Sequence, residues 1–250
     1  MSIQASTKMF SVTRRAESRF YIVMALVAMA VAIAGFGPAA VGTRKGPLTL
    51  AVGAHAVVFS CWLFLFLTQT LLIKKKRISV HRRLGYAGAV LAPLMVITGL
   101  VTVVTMARRG HDLSGDLIGS PSDVAPLLAI QLGNLLFFAV LVAAAVLLRR
   151  RSDVHKRLML LATVGVLMMA PLAHIIGHSP FLRAIQAPII LIPLIVLLFA
   201  GAVYDRLSRG RIHPVSLWVP LALLVSLNLV DVVIGPSEAW RNFTAWLIHS

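Results

Sequence analysis

Two short stretches place a histidine beside two cations where a basic segment becomes a long apolar run. Residues 80–84 read VHRRL and contain His81, and residues 154–158 read VHKRL and contain His155. A neutral imidazole is a common metal ligand and titrates near neutral pH. The repeat therefore favours a binding or proton-carrying role, although histidines that only cap helices or lie among lipid headgroups would give the same pattern.

A second group of polar residues lies inside the apolar runs. His55 starts a stripe with spacings of four, three, four and three residues, which fall on one helix face. His174 and His178 have the spacing of two metal ligands on one helix and follow a kink predicted at Pro171. We expect this layer to face the bundle interior, and a hydrogen-bonded network without a ligand is the alternative interpretation. The stripe continues with Phe59, Trp62, Phe66 and Gln69, and the other polar members of the layer are Gln131, Asn134, Asn228 and Asp231.

The composition is that of an integral membrane protein. Of 250 residues, 59% are hydrophobic and 13% are charged, and the mean hydropathy is +0.91, whereas soluble domains are about 25% charged. The net charge of +16 does not indicate nucleic-acid binding, because Lys and Arg collect between the apolar runs, as membrane insertion requires. The single cysteine, Cys61, excludes an intrachain disulfide and is interpreted as a packing residue.

The apolar runs predict an all-α bundle of seven transmembrane helices in contact with the lipid bilayer. Eighteen of the 24 Lys and Arg residues fall at one end of these helices. By the positive-inside rule, this bias predicts a cytoplasmic N-terminus, an external C-terminus and a multi-pass protein of a bacterial inner membrane. The predicted spans are residues 20–36, 48–73, 81–106, 124–148, 155–176, 181–204 and 214–234.

Both ends of the chain are predicted to lie outside this seven-helix domain of residues 20–235. Residues 1–19 form a basic cytoplasmic segment, and a cleaved signal sequence is the alternative interpretation of the first apolar run. Residues 236–250 are predicted to form a short interfacial helix, capped by Ser237, in the outer headgroup layer. The residues expected together on its lipid-facing side are Trp240, Phe243, Trp246 and Leu247.

The two histidine layers are predicted to lie near opposite faces of the membrane. His55 and Ile73, at the end of the same helix, are 18 residues apart. That separation corresponds to about 27 Å at ~1.5 Å per residue, in a hydrocarbon layer about 30 Å thick. A b-type haem is held by two imidazoles as axial ligands, so two histidines in each layer could hold one haem in each leaflet.

Several motifs are spread over nearly the whole chain, including residues 35–38 (GFGP), 81–85 (HRRLG) and 155–163 (HKRLMLLAT). Together they resemble a widespread bacterial family of seven-span membrane proteins, which implies a fold and no activity. More loosely, a helix that starts with His-Arg or His-Lys resembles haem-binding membrane proteins. The haem A synthases, the ascorbate-reducible b-type cytochromes and the ferric-reductase-like domains belong to that group, so this resemblance implies haem b.

The leading hypothesis is a haem b-binding protein that transfers electrons across the membrane, with histidines as the metal ligands. The propionates of the haem would pair with cations, and a quinone is the candidate electron partner. The candidate iron ligands are His55 with His174 in the outer layer and His81 with His155 in the inner layer. The candidate propionate partners are Arg82, Arg83, Lys156 and Arg157, and the candidate quinone ligands are Gln131 and Asn134.

Two other classes of protein are open. One is a non-catalytic accessory subunit that packs against a larger respiratory or photosynthetic membrane complex. It is suggested by the lack of an extramembrane catalytic domain and by the three acids in residues 108–123. The other is a transporter with a proton relay of His55, His174 and Asp231, which is disfavoured because the spans show no clear inverted repeat.

Overall fold

The protein is all-helical over the residues that the computed structural model describes, which are 3–40, 49–109, 124–178 and 188–249. Side chains are described for residues 16–38, 49–108, 124–176 and 192–249. The helices are α1 (Ile3–Ala40), α2 (Leu50–Lys74), α3 (Ile78–Arg109), α4 (Ala125–Leu147), α5 (Ser152–Leu160), α6 (Met169–His178), α7 (Pro188–Arg209), α8 (Pro214–Leu229) and α9 (Glu238–His249). Two π-helical turns, Leu161–Val166 and Val230–Ile234, continue α5 and α8.

Six helical segments among the described residues are long and apolar enough to cross a membrane, so the chain is a multi-pass membrane helix bundle. The predicted span of residues 181–204 lies partly outside the described residues, and α7, its described part, is not among the six. A seventh crossing and the orientation of the termini therefore stay predictions. The six segments are Ala16–Pro38, Leu50–Lys74, Ile78–Arg108, Ala125–Leu147, Ser152–Ile176 and Pro214–Ile234.

The central helix of the bundle is the segment Ser152–Ile176, made of α5, the first π-helical turn and α6. Of its most apolar stretch, 67% is buried, against at most 28% in the other five segments. It packs against α1, α4, α7 and α8. The indole N–H of Trp62 on α2 donates to the Thr163 hydroxyl in the middle of the π-helical turn at 3.1 Å. The remaining helices are thus arranged around an apolar core helix with its own buried polar contact.

The helical hydrogen bonding of this central helix changes before Pro171, close to the predicted kink. Leu167 N–H donates to the Ala162 carbonyl, five residues back, at 3.3 Å. Pro171 has no N–H to donate, and its backbone lies against Gly35 of α1. A Cβ atom on Gly35 would lie 2.7 Å from the Pro171 Cα. Only glycine permits this close approach of the two helices.

The two ends of the bundle are built differently. At one end, which we call the basic end, α2 finishes beside Lys74, α5 starts after Arg151 and α7 finishes at Arg209. The opposite end, the distal end, contains the start of α2 and α4 and all of α9. There the Trp240 indole donates to the Ala125 carbonyl at 2.7 Å.

Both ends of the chain are helical. α1 runs without a break from Ile3 into the first span, and a cytoplasmic position of residues 1–19 stays a prediction. Ser237 caps α9 as predicted, since its hydroxyl accepts the Trp240 N–H at 3.3 Å.

The aromatic rings of α9 lie along one side of the helix, with centroids 5.2 Å apart for Trp240 and Phe243 and 5.9 Å apart for Phe243 and Trp246. The position of this helix in the outer headgroup layer stays a prediction. Thr244 is buried, and its face of the helix packs on α3 and α4. Trp240 and Leu247, on this face, are half-buried, whereas Phe243 and Trp246 are 41% and 63% exposed. The side chains that share this helix are therefore divided between the bundle and the surroundings.

Candidate functional site

The inner pair of histidines lies at the basic end. His81 is in the first turn of α3 and His155 is in the first turn of α5, and both side chains are half-buried. The two imidazoles are close enough for a charge on one to act on the other. The helix starts that the sequence identified therefore lie at the same end of the bundle.

His155 has a defined tautomer. Its Nδ1 lies 2.8 Å from the Ala145 carbonyl of α4. A carbonyl oxygen can only accept, so Nδ1 carries a proton, and in the neutral imidazole the lone pair is then on Nε2. Metal-ligating histidines usually donate their second N–H to a carbonyl or carboxylate in this way.

His81 has a buried nitrogen with no partner among the described residues. The Gln69 side chain donates from Nε2 to the His81 carbonyl at 3.3 Å. The Nδ1 of His81 and the Oε1 of Gln69 are both buried and form no hydrogen bond in the described part of the chain. A buried polar atom left unpaired costs about 1–3 kcal/mol. Two such atoms on residues in contact indicate a place where a polar or metal-containing group can bind.

The four cations next to these histidines divide into two groups. Arg82 and Arg83 have exposed side chains. Lys156 is paired with Glu17 of α1 at 2.5 Å, and Arg157 is buried in an ion pair with Asp205. Of the four cations that the sequence indicated, only Arg82 and Arg83 are therefore available to pair with an added anionic group.

A buried ion-pair cluster joins α5, α7 and α8 at the basic end, and its role was not predicted from the sequence. Arg157 Nε lies 3.0 Å from Asp205 Oδ2 and 3.1 Å from Ser216 Oγ, and Arg157 Nη2 donates to Asp205 Oδ1. The Ser216 hydroxyl donates to Asp205 Oδ2 at 2.7 Å. All three residues are at most 3% exposed. The carboxylate is therefore well paired although it is buried.

The Asp205 carboxyl is held in its charged form. Burial alone would raise its pKa, but hydrogen bonds from Arg157 and Ser216 and the charge of Arg157 lower the pKa below its ordinary value of 3.8. Asp205 lies outside the six candidate membrane segments.

His213 and Glu17 extend the cluster outward. The His213 Nδ1 accepts the Val215 N–H at 3.2 Å and so caps α8, which leaves Nε2–H to donate to Asp153 at 3.1 Å. Glu17 of α1 contacts both Lys156 and Arg209 at 2.5 Å. Four helices, α1, α5, α7 and α8, are therefore tied together by charge at this end.

The outer histidines are in contact with aromatic rings. The His55 Nδ1 lies 3.1 Å from the Thr98 hydroxyl of α3, and its ring centroid is 6.4 Å from that of Phe59. His174 is buried, with its ring 4.9 Å from Phe36, and Phe36 is 5.8 Å from Phe59. Contact between the two histidines therefore runs through two phenylalanines.

The stripe that begins at His55 faces inward, as predicted. Phe59, Trp62 and Phe66 are buried, and His55 and Gln69 are half-buried.

Gln131 and Asn134 lie half-buried on α4. The adjacent Leu135 and His55 both lie against Gly99 of α3. A Cβ atom on Gly99 would be 2.6 Å from Leu135 Cδ2 and 3.2 Å from His55 Cε1. The predicted match in depth between this part of α4 and His55 is therefore confirmed. His178 has no described side chain, so its suggested pairing with His174 lies outside the described residues.

The inward orientation predicted for Asn228 and Asp231 is wrong. Both side chains are exposed on the outer face of α8 and its π-helical turn. The reason is that the opposite face of α8, with Ser216, Pro220 and Leu223, is the one buried against the bundle. Cys61 was also expected to be packed and is instead exposed on α2.

Among the residues described, no cluster of three or more His, Cys, Asp or Glu side chains has the geometry of a metal site. The iron of a haem takes at most two ligands from the protein, so a haem site would not form such a cluster. The observation therefore concerns metal ions bound directly by side chains. Comparisons with family models, with curated proteins and with solved structures gave no match to this chain.

Proposed function

We propose that this membrane protein binds haem b at the basic end, through His81 and His155, and serves in electron transfer. The observation that carries the proposal is the buried Nδ1 of His81, which has no described partner. At the same end of the bundle, the neutral form of His155 has Nε2 available, because its Nδ1 is hydrogen-bonded. Neutral imidazole nitrogens are the usual axial ligands of b-type haem. The haem would accept and release one electron, and the chain would hold the haem and exclude water from it.

The residues around this pair suit the group. Arg82 and Arg83 have exposed side chains that can pair with propionates. Gly85 lies one turn beyond His81, and a Cβ atom there would meet nothing within 4 Å. A flat ligand beside this turn of α3 would not collide with a side chain at position 85.

The outer pair supports haem binding less well. Phe59 lies in contact with His55 and Phe36 with His174, so aromatic rings stand between the two histidines. A second haem between His55 and His174, and a quinone at Gln131 and Asn134, stay predictions from the sequence. The bacterial inner membrane is the location that the distribution of cations favours.

A reduced-minus-oxidised spectrum of the purified protein tests the proposal. We expect a b-type α-band that is lost in His155→Ala and lost or shifted in His81→Ala. The exposed, C-terminal His249→Ala is the matched control and should keep the band. A protein without an α-band would overturn the proposal, and a band that disappears only in His55→Ala would move the haem to the outer pair.

A further inference from the structure

The outward face of α8 is an exposed apolar surface that carries polar groups. Trp218, Val225 and Val232 are 66%, 69% and 68% exposed and recur along one side of the helix. Only 11% of the most apolar stretch of Pro214–Ile234 is buried, the lowest value of the six membrane segments described. Asn228 interrupts this apolar face with an exposed side-chain amide.

The Asn228 amide is incompletely hydrogen-bonded. Its Nδ2 donates to the Leu224 carbonyl of the same helix at 2.8 Å, which uses one of two N–H groups and leaves Oδ1 without a described donor. Asn228 lies 14 residues after the start of α8 at Pro214, or about 21 Å along a hydrocarbon layer ~30 Å thick. Water is scarce at that depth, so the remaining groups favour a protein partner.

We propose that this face of α8 pairs with α8 of a second copy of the chain. A side-chain amide both donates and accepts, so Asn228 is complementary to itself across a twofold axis. Interhelical bonds of this kind are a recognised source of helix association in membranes. The surrounding exposed side chains are apolar and can pack in the same interface. The Asn228 amide of a second copy therefore supplies both the donor and the acceptor that the first amide needs.

The carboxylate of Asp231 weakens the association of two α8 helices. Asp231 follows Asn228 by three residues, on the exposed side of the π-helical turn, about 26 Å from the start of α8. Two such carboxylates near a twofold axis repel each other, and only their nearness to headgroup water reduces the repulsion. Replacing Asp231 with Asn should therefore increase dimerisation, whereas replacing Asn228 with Leu should decrease it.

Oxidative cross-linking tests the interface independently of haem binding. In a Cys61→Ser background, Val225→Cys places one thiol on the face of α8, and Val140→Cys places one on α4, where Val140 is 54% exposed. Two differently tagged copies of each variant are expressed together in membranes. We expect a cross-linked product containing both tags for Val225→Cys and little or none for the Val140→Cys control.

The Asn228 variants test the role of the amide within that experiment. Adding Asn228→Leu to Val225→Cys should lower the cross-linked fraction about fivefold, and Asn228→Gln should keep most of it. Equal cross-linking at positions 225 and 140, or no effect of Asn228→Leu, would overturn the proposal. A Val225→Cys product that joins the chain to another protein would also overturn it, and would favour the accessory-subunit hypothesis.

Discussion

The two ends of the bundle are held together by different interactions. At the basic end, α1, α5, α7 and α8 are joined by ion pairs and hydrogen bonds that centre on the buried pair of Arg157 and Asp205. At the distal end, the same central helix contacts α1 through the backbone of Gly35 and Pro171 and through the rings of Phe36 and His174. Charge fixes one end of the central helix, and close packing fixes the other.

This difference determines which changes each end tolerates. Removing one member of a buried ion pair leaves an uncompensated charge, whereas removing both members together can be nearly neutral. A close backbone contact has no such compensation, because the atoms that collide belong to the main chain. Substitutions at the two ends should therefore differ in whether a second substitution restores stability.

The largest loss of stability is expected for Arg157→Met. It removes the buried cation of the Asp205 carboxylate, which is 1% exposed, and leaves only the more exposed Arg209 at 3.8 Å. The free energy of unfolding should fall by about 3–5 kcal/mol. Thermal unfolding in detergent or nanodiscs measures the change. The exposed Arg206→Met is the matched control and should be close to wild type. The double variant Arg157→Met/Asp205→Leu should recover most of the loss, and a double variant as unstable as the single one would contradict the explanation by charge.

Gly35→Ala should destabilise the distal end by about 3 kcal/mol. The new Cβ would lie 2.7 Å from the Pro171 Cα, and this collision outweighs the gain of about 1 kcal/mol that Ala normally brings to a helix. Gly133→Ala is the matched control in α4, where the nearest atom to a new Cβ would be Val230 Cγ2 at 3.7 Å, an ordinary contact. The control should be neutral or stabilised in the same unfolding measurement. Equal stability of Gly35→Ala and wild type would show that the contact is not tight.

Acidification should weaken the basic end selectively. Because the folded pKa of Asp205 is lowered, its contribution to stability is present above the ordinary carboxyl pKa of 3.8 and is lost as the pH falls through the folded pKa. The unfolding temperature of wild type should therefore decline below about pH 4. Asp205→Asn should start from a lower unfolding temperature and show a smaller decline, and parallel pH profiles would exclude Asp205 as the group responsible.

Trp62→Phe should have the smallest effect, about 1–2 kcal/mol. It removes the 3.1 Å hydrogen bond to Thr163 midway between the two ends and leaves the buried hydroxyl of Thr163 without that donor. Trp246→Phe, at a side chain 63% exposed on α9, is the control and should unfold like wild type. A larger loss for Trp62→Phe than for Gly35→Ala would mean that the middle of the bundle, and not its ends, dominates its stability.

Periodic patterns within one helix were predictable from the sequence. The stripe from His55 to Phe66 faces inward because apolar and aromatic residues at spacings of three and four share a helix face. The Ser237 cap follows from a local side-chain preference that one turn of chain decides. The six membrane segments follow from apolar length alone.

Contacts between helices were not predictable in the same way. Arg157 is separated from Asp205 by 48 residues and from Ser216 by 59, and no spacing rule relates helices that are not consecutive. His213 is not one of the residue types expected at a helix cap, so its role at the start of α8 had no clear sequence signal. The exposed positions of Asn228 and Asp231 depend on which side of α8 the neighbouring helices cover. The histidine pair itself was found because its short motif occurs twice.

The partners of the Arg157 guanidinium have a consequence for the synthesis of the protein. A ribosome delivers the central helix to the membrane well before it has made Asp205, 48 residues later. Until the end of α7 and the start of α8 emerge, the cation has neither the carboxylate nor the Ser216 hydroxyl to bind and must stay hydrated at the membrane surface. The apolar character of Ser152–Ile176 is therefore not the only determinant of its final depth, because the partners of Arg157 are made after it.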